Sequence, residues 1–304
     1  MPVEKEEEMK DLKDIMALIP TPFTDDGEVD ETGLRKLIDH EMENGCYGVG
    51  VLAAIGEGYL ISHEGWKKVV KIAVKQMARK GPLMVGCPAL STLHAVQLCK
   101  EAEDLGADAI LAFNPQGFRS YGIRELIDHY MALTDAVKIH IAPYARGEDP
   151  IPFEVIKKLV DKKRISYMKY AWRSCDFLKE MSKSFGDRLY AFCGADTWTL
   201  RYLLLGCKGV LTATAAMLPK EHVTLLSMVR KGDIEGARGY YNEAILPWND
   251  IGFYDMTTWQ SVHKIALQQM GIIKSAKVLL PQAPAAPHQV EEVKWFVKHY
   301  GKKK

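Results

Sequence analysis

An excess of charge of either sign is missing from this chain of 304 residues, in which 40 basic residues stand against 39 acidic ones. A nucleic-acid-binding protein more often carries a basic stripe with interleaved aromatic residues, which this sequence lacks. It also lacks an apolar run of about 18 residues that could span a membrane, and its N-terminal segment is too polar for a signal peptide. We therefore expect no nucleic-acid partner, no membrane partner and a cytoplasmic location.

Paired cysteines are lacking as well. The six cysteines are scattered without a C-x-x-C pair, so neither a zinc ribbon nor a thioredoxin-like redox site is indicated. Reduced and mostly buried thiols are the simplest interpretation. The fingerprint G-x-G-x-x-G does not follow the first apolar run, which argues against an open Rossmann sheet. We expect neither a metal nor an organic cofactor.

Short apolar runs alternate with longer amphipathic stretches over the first two thirds of the chain. Eight strand-like runs are separated by helical segments of roughly 10–15 residues, a pattern typical of parallel βαβ units. Eight such units favour closure into a (β/α)8 TIM barrel over an open sheet. The predicted strands are 15–19, 48–54, 82–85, 109–113, 138–142, 165–169, 189–192 and 209–212.

Helical periodicity continues beyond the eighth strand, and no Gly/Ser-rich linker separates these helices from the barrel. The four predicted helices are 220–230, 234–245, 259–270 and 289–300. The first would complete the barrel, and the others would pack on it. We predict a polar N-terminal segment over residues 1–13, the barrel over 14–232 and a C-terminal helical extension over 233–304, as one domain overall.

The sixth predicted strand ends on a lysine, and the active site of such barrels lies at the carboxyl ends of the strands. Lys169 follows the apolar stretch from Ile165 to Met168, so its side chain points either into the barrel mouth or into the helix layer. A dry mouth disfavours the ammonium form of a lysine, and a neutral amine is a nucleophile for carbonyl carbons. The alternative is a lysine that reaches solvent or pairs with a carboxylate.

Several fragments occur in an order and spacing that point to one family. They include Pro20-Thr21-Pro22-Phe23, Gly56-Glu57, Tyr167-Met168-Lys169 and Gly206-Cys207-Lys208-Gly209-Val210. With them the chain, from about Ile15 to Gly301, resembles the dihydrodipicolinate synthase / N-acetylneuraminate lyase family of class I aldolases and dehydratases. The resemblance implies a Schiff base between Lys169 and a 2-keto acid. It also implies a homo-oligomer, either a dimer or a tetramer.

The segment after strand two departs from the family pattern. Two threonines usually precede Gly56 and Glu57 there, where they hold the substrate carboxylate and relay a proton. Here these positions are Ala54 and Ile55, neither of which has a hydroxyl. The backbone N–H groups of Ile55 and Gly56 could still bind a carboxylate. We therefore predict that the segment from Ala54 to Glu57 contacts the substrate.

The proton carrier of the family is a tyrosine at the end of strand five, three residues before a proline. Counting back from Pro143 gives His140, and a histidine can move protons near neutral pH. Tyr144, one residue beyond Pro143, is the rival carrier. A His140→Phe variant is expected to lower the rate, and an unchanged rate would assign the role to Tyr144.

Further substrate contacts are predicted at Arg146, Gln116 and Thr212. Arg146 stands one residue later than the substrate-binding arginine of the family and can clamp a carboxylate or hydroxyl. Gln116, Gly117 and Phe118 occupy the loop in which the synthases carry an aromatic pair, and Thr212 ends strand eight. From these departures we expect the chain to be closer to the sugar-acid dehydratase and aldolase branch than to true dihydrodipicolinate synthase.

The predicted function is that of a Schiff-base-forming lyase that acts on a small-molecule, pyruvate-derived 2-keto acid through an imine on Lys169. Cleavage between C3 and C4 of a 2-keto-3-deoxy acid would make it an aldolase, and loss of the C4 hydroxyl would make it a dehydratase. The alternative, motivated by the missing threonines, is a catalytically degraded paralogue that binds a 2-keto acid. A nicotinamide-dependent barrel reductase would need a catalytic Tyr/Lys/Asp set, which we cannot place in this sequence.

Overall fold

The computed structural model describes residues 9–78, 80–116, 121–147, 149–172 and 174–300. Eight strands pair side by side in parallel and close into a barrel in the order of the sequence. An α-helix connects each strand to the next and covers the outside of the barrel. The predicted (β/α)8 barrel with further C-terminal helices is confirmed.

The elements have the following bounds. The strands are β1 Ile15–Leu18, β2 Gly48–Val51, β3 Leu83–Cys87, β4 Ala109–Ala112, β5 His140–Arg146, β6 Tyr167–Ala171, β7 Tyr190–Cys193 and β8 Gly209–Thr212. The barrel helices are α1 Glu31–Glu43, α2 His63–Met77, α3 Thr92–Leu105, α4 Ile123–Ala136, α5 Phe153–Asp161, α6 Cys175–Phe185, α7 Thr199–Leu204 and α8 Pro219–Arg230. The C-terminal helices are α9 Ile234–Ala244, α10 Leu246–Gly252, α11 Trp259–Gln269 and α12 Pro287–Tyr300.

Alternate residues of each strand fill the barrel interior, as the period of two of a strand requires. In β1, Met16 and Leu18 belong to the interior apolar cluster, whereas Ile15 and Ala17 belong to the cluster that packs against the helices. Pairing of Ile15 with Val210 of β8 closes the ring and leaves the sheet without an open edge. Because the centre is packed, ligands can bind only at the ends of the barrel.

Strand five differs from its prediction in a way that matters for the site. It runs over His140–Arg146 and passes through Pro143, which lies opposite Ala112, the last residue of β4. Beyond that point β5 continues beside β6, with Tyr144 opposite Lys169. A proline removes one N–H donor from the sheet, and Pro143 stands at the point where its pairing with β4 ends. The strand therefore ends at Arg146, and His140 begins it.

The C-terminal extension includes a helix that the sequence pattern does not predict. Helix α10 has seven residues, which are too few to show helical periodicity. In the sequence, Pro247 near its start resembles the end of the preceding helix and not the beginning of a new one. Helix α10 carries the fully buried Trp248, whose ring packs edge-on against His263 of α11 at a centroid distance of 5.1 Å. Within the described ranges, no helix combines the length and apolarity needed to cross a membrane.

Two buried histidines make the stability of the fold sensitive to acid. The Nδ1 atom of His222 in α8 lies 2.8 Å from the carbonyl oxygen of Leu218, and that of His263 lies 2.8 Å from the carbonyl oxygen of Trp259. Both side chains are almost fully buried. Burial lowers the pKa of each ring to about 4, because the charged form loses its hydration. Both rings are therefore neutral in the folded protein at neutral pH.

Lowering the pH from 6.5 to about 4 should destabilise the fold, because in this window the unfolded chain binds protons on these histidines and the folded chain does not. We expect the free energy of unfolding to fall by about 3 kcal/mol per histidine, with no further fall from these groups below about pH 4. Urea titrations at several pH values across the window measure the fall. A His222→Leu/His263→Leu variant should show a shallower fall, and an equal fall in both proteins would contradict the assignment.

Candidate active site

Lys169 lies on β6 with its side chain inside the barrel. Tyr167, two residues earlier, belongs to the interior cluster, whereas Met168 and Tyr170 pack outward against the helices. Lys169 is only 4% exposed and lies beside Phe192 of β7 in the strand register. The alternation along the strand thus decides the question that the sequence leaves open, because the lysine faces the barrel interior and not the helix layer.

Space for the lysine side chain comes from Gly194, the residue that follows β7. A Cβ atom at this position would lie 2.5 Å from Cε and 2.6 Å from Cγ of Lys169. Carbon atoms in contact are normally about 3.5–4.0 Å apart, so no larger residue fits without moving the lysine. Gly194 therefore permits Lys169 to occupy its observed position.

Tyr144 is the immediate neighbour of Lys169 on β5. The register places the two residues opposite each other, and the lysine Nζ lies 4.0 Å from the centre of the tyrosine ring. Phe113 packs edge-on against Tyr144 at 5.5 Å and against Tyr59 at 5.4 Å. Burial raises the pKa of Tyr59 above its ordinary value. This aromatic row shields one side of the amine from water and contributes a cation–π contact.

The predicted placement of His140 at the end of strand five is wrong. His140 is the first residue of β5, four residues before Tyr144, and is therefore about 13 Å from it along the strand. Its ring packs edge-on against Tyr167 at 4.7 Å, close enough to Asp11 to interact with its charge. Burial lowers the pKa of His140, and the charge of Asp11 opposes that effect. The side chain thus belongs to the end of the barrel opposite Lys169.

The loop after β2 lies beside the site. Ala54 faces the cavity, whereas Ile55 is 1% exposed and packs with the interior cluster. The carbonyl oxygen of Gly56 accepts a hydrogen bond of 2.6 Å from the Thr21 hydroxyl. In the part of the chain that the structure describes, the N–H groups of Ile55 and Gly56 donate to no protein acceptor. Their predicted use for a carboxylate stays a prediction.

Glu57 links the loop after β2 to the C-terminal extension, and its predicted substrate contact stays a prediction. Its carboxylate forms an ion pair of 2.5 Å with Lys264 of α11, and neither side chain has any exposed area. The other carboxylate oxygen accepts a hydrogen bond of 2.7 Å from the N–H of Leu279. Glu57 also has a positive φ of 56°, which is uncommon for a residue other than glycine. These contacts use both oxygens and fix the loop to the C-terminal extension.

Arg146 and Gln116 belong to one polar network at the ends of β4 and β5. Arg146 donates to the side-chain oxygen of Gln116 at 3.3 Å, and the Gln116 amide donates to Asp149 at 3.3 Å. Asn114 also donates to Asp149, at 2.7 Å, and accepts from Tyr130. Arg146 lines the cavity described below and Gln116 does not, and the predicted substrate contacts of both residues stay predictions.

Three other positions named in the sequence analysis are a loop pair and one predicted substrate contact, Thr212. Gly117 and Phe118 lie outside the described residues. Thr212 is completely buried, and its hydroxyl accepts a hydrogen bond of 3.2 Å from the N–H of Ala215. It closes the turn after β8 and is not among the described residues that line the cavity. The predicted substrate contact of Thr212 is therefore not supported by its position.

Asp196 is a further charged residue at the site. Its carboxylate accepts a hydrogen bond of 2.7 Å from the N–H of Thr214, and its carbonyl oxygen accepts one of 3.0 Å from Asn249. Burial raises the pKa of the Asp196 carboxyl, and the Thr214 amide and the charge of Lys169 oppose this effect. Its position after strand seven was the signal in the sequence, but that position alone assigns no role.

A cavity of about 730 Å³ lies between the barrel and the C-terminal extension, and several of these residues line it. Lys169 adjoins the cavity through its contacts with Tyr144 and Gly194. The volume lies within the range of roughly 300–1,000 Å³ found for small-molecule sites. The cavity is lined by Ala54, Glu57, Tyr59, Leu60, Tyr144, Arg146, Gly147, Ala171, Gly194, Ala195, Asp196, Thr197, Trp198, Phe253, Met256, Trp259, Gln260 and Gln282. No cluster of three metal-binding side chains occurs among the described residues.

A buried lysine near the carboxyl ends of a closed parallel barrel, against a tyrosine and beside a cavity, is the arrangement of a lysine Schiff-base enzyme. The chain belongs to the dihydrodipicolinate synthetase family, whose model matches residues 11–300. Enzymes of this family are class I aldolases and lyases that react through a lysine Schiff base, and the chain is an enzyme of this class.

Curated relatives and solved structures match nearly the whole chain. The 4-hydroxy-tetrahydrodipicolinate synthase of Geotalea uraniireducens is 30% identical over 95% of this chain and 99% of its own length. That of Syntrophus aciditrophicus is 31% identical over 95% of this chain and 98% of its own. Dihydrodipicolinate synthase from Aquifex aeolicus superposes with a TM-score of 0.89 at 25% identity, over 95% of this chain and 98% of that one. A prophage protein of the family from E. coli, solved with pyruvate, gives 0.88 at 25% identity and the same coverage.

The expected closeness to the sugar-acid dehydratase branch is not supported by these comparisons, because both curated relatives are synthases. The structure removes one reason for that expectation. Although counting from Pro143 gives a histidine, β5 does carry a tyrosine, Tyr144, opposite Lys169. Proline spacing is a poor guide here because β5 continues for three residues beyond Pro143.

Proposed function

We propose that the chain is a Schiff-base-forming lyase that acts on a pyruvate-derived 2-keto acid, with Lys169 as the nucleophile. The observation that carries the proposal is the Lys169 side chain, which is buried inside the barrel against Tyr144 and accommodated by Gly194. A lysine amine attacks carbonyl carbons in its neutral form, and the position beside the cavity brings it to the end of the barrel where a substrate can bind. A solved relative in complex with pyruvate is consistent with this substrate.

The proposed reaction begins when Nζ of Lys169 adds to C2 of the 2-keto acid. The carbinolamine loses its hydroxyl as water and becomes an iminium ion, which withdraws electrons from C3. Loss of a C3 proton then gives an enamine, whose C3 forms a carbon–carbon bond to the carbonyl carbon of an aldehyde. The aldehyde oxygen gains a proton, and hydrolysis of the iminium ion releases the product. The same steps in reverse are a retro-aldol cleavage.

Tyr144 is the proposed proton carrier. It lies directly against the lysine amine, so its hydroxyl group belongs to the same end of the barrel as the reacting atoms. We place the substrate carboxylate on the free N–H groups of Ile55 and Gly56, which the Glu57–Lys264 ion pair holds in position. Arg146 faces the same cavity and can bind a second acidic or hydroxyl group farther from C2.

Two finer outcomes share the iminium ion of a 2-keto-3-deoxy acid. In an aldolase, cleavage of C3–C4 releases an aldehyde and leaves the enamine of pyruvate. In a dehydratase, loss of a C3 proton gives an enamine that expels the C4 hydroxyl as water. The synthase relatives favour carbon–carbon bond formation with pyruvate. A cytoplasmic location and a dimeric or tetrameric assembly complete the proposal. A 2-keto acid-binding protein without turnover is the alternative, motivated by Ala54 in the cavity wall where the family has a hydroxyl.

Deuterium exchange into pyruvate tests the proposal without knowledge of the aldehyde. An enzyme that forms the enamine removes a C3 proton and returns a deuteron from D2O, so the methyl signal of pyruvate in the proton NMR spectrum should disappear. We expect exchange that is proportional to enzyme concentration. Saturable binding of pyruvate without exchange would instead support the binding protein.

A Tyr144→Phe variant should lower the exchange rate by roughly 10²- to 10⁴-fold, the usual contribution of a positioned acid or base. The phenyl ring keeps the packing against Lys169 and Phe113, so the fold should remain intact. His140→Phe is the matched control at the other end of the same strand and should stay within a few-fold of the wild type. A large loss in the His140 variant alone would reverse the assignment.

A further inference from the structure

A second cavity, of about 270 Å³, lies between the helices α8, α9 and α12 and is called the helical cavity below. No described residue lines both the helical cavity and the cavity beside Lys169. Much of its wall is apolar and includes Met217 and Leu218 before α8, Met270 after α11 and Phe296 of α12. Its volume is close to the lower end of the range of roughly 300–1,000 Å³ found for small-molecule sites, so a ligand that fits here is small.

Three aromatic rings line the helical cavity. Phe296 and Tyr300 of α12 are stacked, with 4.5 Å between the ring centroids and 10° between the ring planes. Phe296 also packs against the fully buried Trp248 at 5.3 Å, which holds its ring in place. Tyr240 of α9 supplies the third ring. The face of an aromatic ring carries partial negative charge, so these rings can attract an ammonium group.

The charged side chains of the helical cavity are all acidic. Glu221 of α8 and Glu243 of α9 line it, whereas no lysine, arginine or histidine does so among the described lining residues. Burial raises the pKa of Tyr240, and the negative charge of Glu221 adds to this effect, which places that carboxylate near the Tyr240 hydroxyl. One Glu221 oxygen is inaccessible to water, so its charge acts on a ligand through space. Glu243 is exposed and three residues from Tyr240 on the same face of α9, where a ligand can contact it directly.

Other acidic side chains of the same helices have basic partners. Glu235 of α9 pairs with Arg238 at 2.5 Å, and Glu291 of α12 pairs with Lys294 at 2.7 Å. In the described part of the chain, Glu243 forms no such ion pair. Two like charges beside an apolar wall repel each other and lose part of their hydration. A cation in the helical cavity offsets both effects, whereas a carboxylate there would increase the repulsion.

We infer that the helical cavity binds a small organic cation, in which an ammonium group is attached to an apolar body without a carboxylate. The ammonium group lies beside Glu243 and the Tyr240 ring, within the field of Glu221, and the apolar body packs against Phe296 and Met270. A neutral compound of the same shape makes the apolar contacts but lacks the attraction to the carboxylates. This site goes beyond the proposed function and does not depend on the reaction at the other cavity.

The test compares three compounds that share a phenylethyl body: 2-phenylethylamine, 2-phenylethanol and 3-phenylpropanoate, which are cationic, neutral and anionic at neutral pH. Isothermal titration calorimetry measures their dissociation constants for the full chain. The amine should bind about tenfold more tightly than the alcohol, and the propanoate should bind more weakly than both. In Glu221→Gln/Glu243→Gln, which keeps the side-chain size but removes both charges, the advantage of the amine over the alcohol should fall to about twofold or less.

Two further variants locate the site, with thermal unfolding as the check on folding. Ala244→Phe places a ring in the space that Ala244 lines and should weaken the amine about tenfold or more. Glu235→Gln makes the same charge change on α9 outside the cavity lining and should leave the affinity within about twofold. An amine that binds no more tightly than the alcohol, or not at all, would overturn the inference. An undiminished advantage in the double variant, or an equal loss in Glu235→Gln, would overturn it as well.

Discussion

Replacing Lys169 with alanine should abolish turnover while leaving the fold intact. The variant lacks the only amine that the described structure places against Tyr144 and Gly194, so neither the iminium ion nor the enamine can form. We expect a loss of at least about 10³-fold in the rate of pyruvate exchange, as for other enzymes that lose their nucleophile. The same NMR assay measures it, with thermal unfolding as the check on folding.

Lys169→Met is the matched control for packing, because methionine fills most of the volume of the lysine stem without an amine. It should fold at least as well as Lys169→Ala and be equally inactive. Both variants keep Gly194, which accommodates the longer side chain. Turnover in either variant close to that of the wild type would exclude Lys169 as the nucleophile.

Removing one partner of the buried Glu57–Lys264 pair should have the largest effect on stability. Lys264→Met leaves the Glu57 carboxylate without its counter-ion, with the N–H of Leu279 as its remaining partner. An uncompensated buried charge destabilises a protein by about 3–5 kcal/mol. Burial already lowers the pKa of Lys264 to about 8, against the opposing attraction of Glu57, which shows how strongly this environment disfavours an unpaired charge.

The double variant Glu57→Gln/Lys264→Met distinguishes charge from packing. Glutamine keeps an acceptor for the N–H of Leu279 but carries no charge, so most of the lost stability should return. Urea titrations give the free energies of unfolding of Lys264→Met, Glu57→Gln and the double variant. If the losses of the two single variants add up to the loss of the double variant, the ion pair does not couple these residues.

The barrel itself could be predicted because its signals are local. Alternating apolar strands and amphipathic helices repeat along the chain, and α1, α2, α3 and β8 have the predicted bounds. Element ends are less certain where a strand continues past a turn-like residue, as β5 does at Pro143. Helix α10 could not be predicted, because seven residues are too few for the spacing of apolar residues to reveal a helix.

The candidate site could be predicted only in part. Lys169 stands out because a lysine at the end of an apolar strand is unusual, and Tyr144 is one of the two candidate proton carriers in the sequence. The choice between Tyr144 and His140 depends on strand register, which residue spacing does not reveal. Glu57 is 207 residues from its partner Lys264, so a tertiary contact with no local pattern decides its role. The same holds for the helical cavity, whose wall combines residues of α8, α9 and α12.

The most direct test of the central claim is chemical trapping of the imine. The protein is incubated with pyruvate and sodium borohydride, and its intact mass and peptide map are measured by mass spectrometry. Reduction of a Schiff base should add one pyruvate-derived group per chain, located on the peptide that contains Lys169 and absent from Lys169→Met. The absence of any adduct with pyruvate or larger 2-keto acids, or an adduct on another lysine, would contradict the assignment of Lys169.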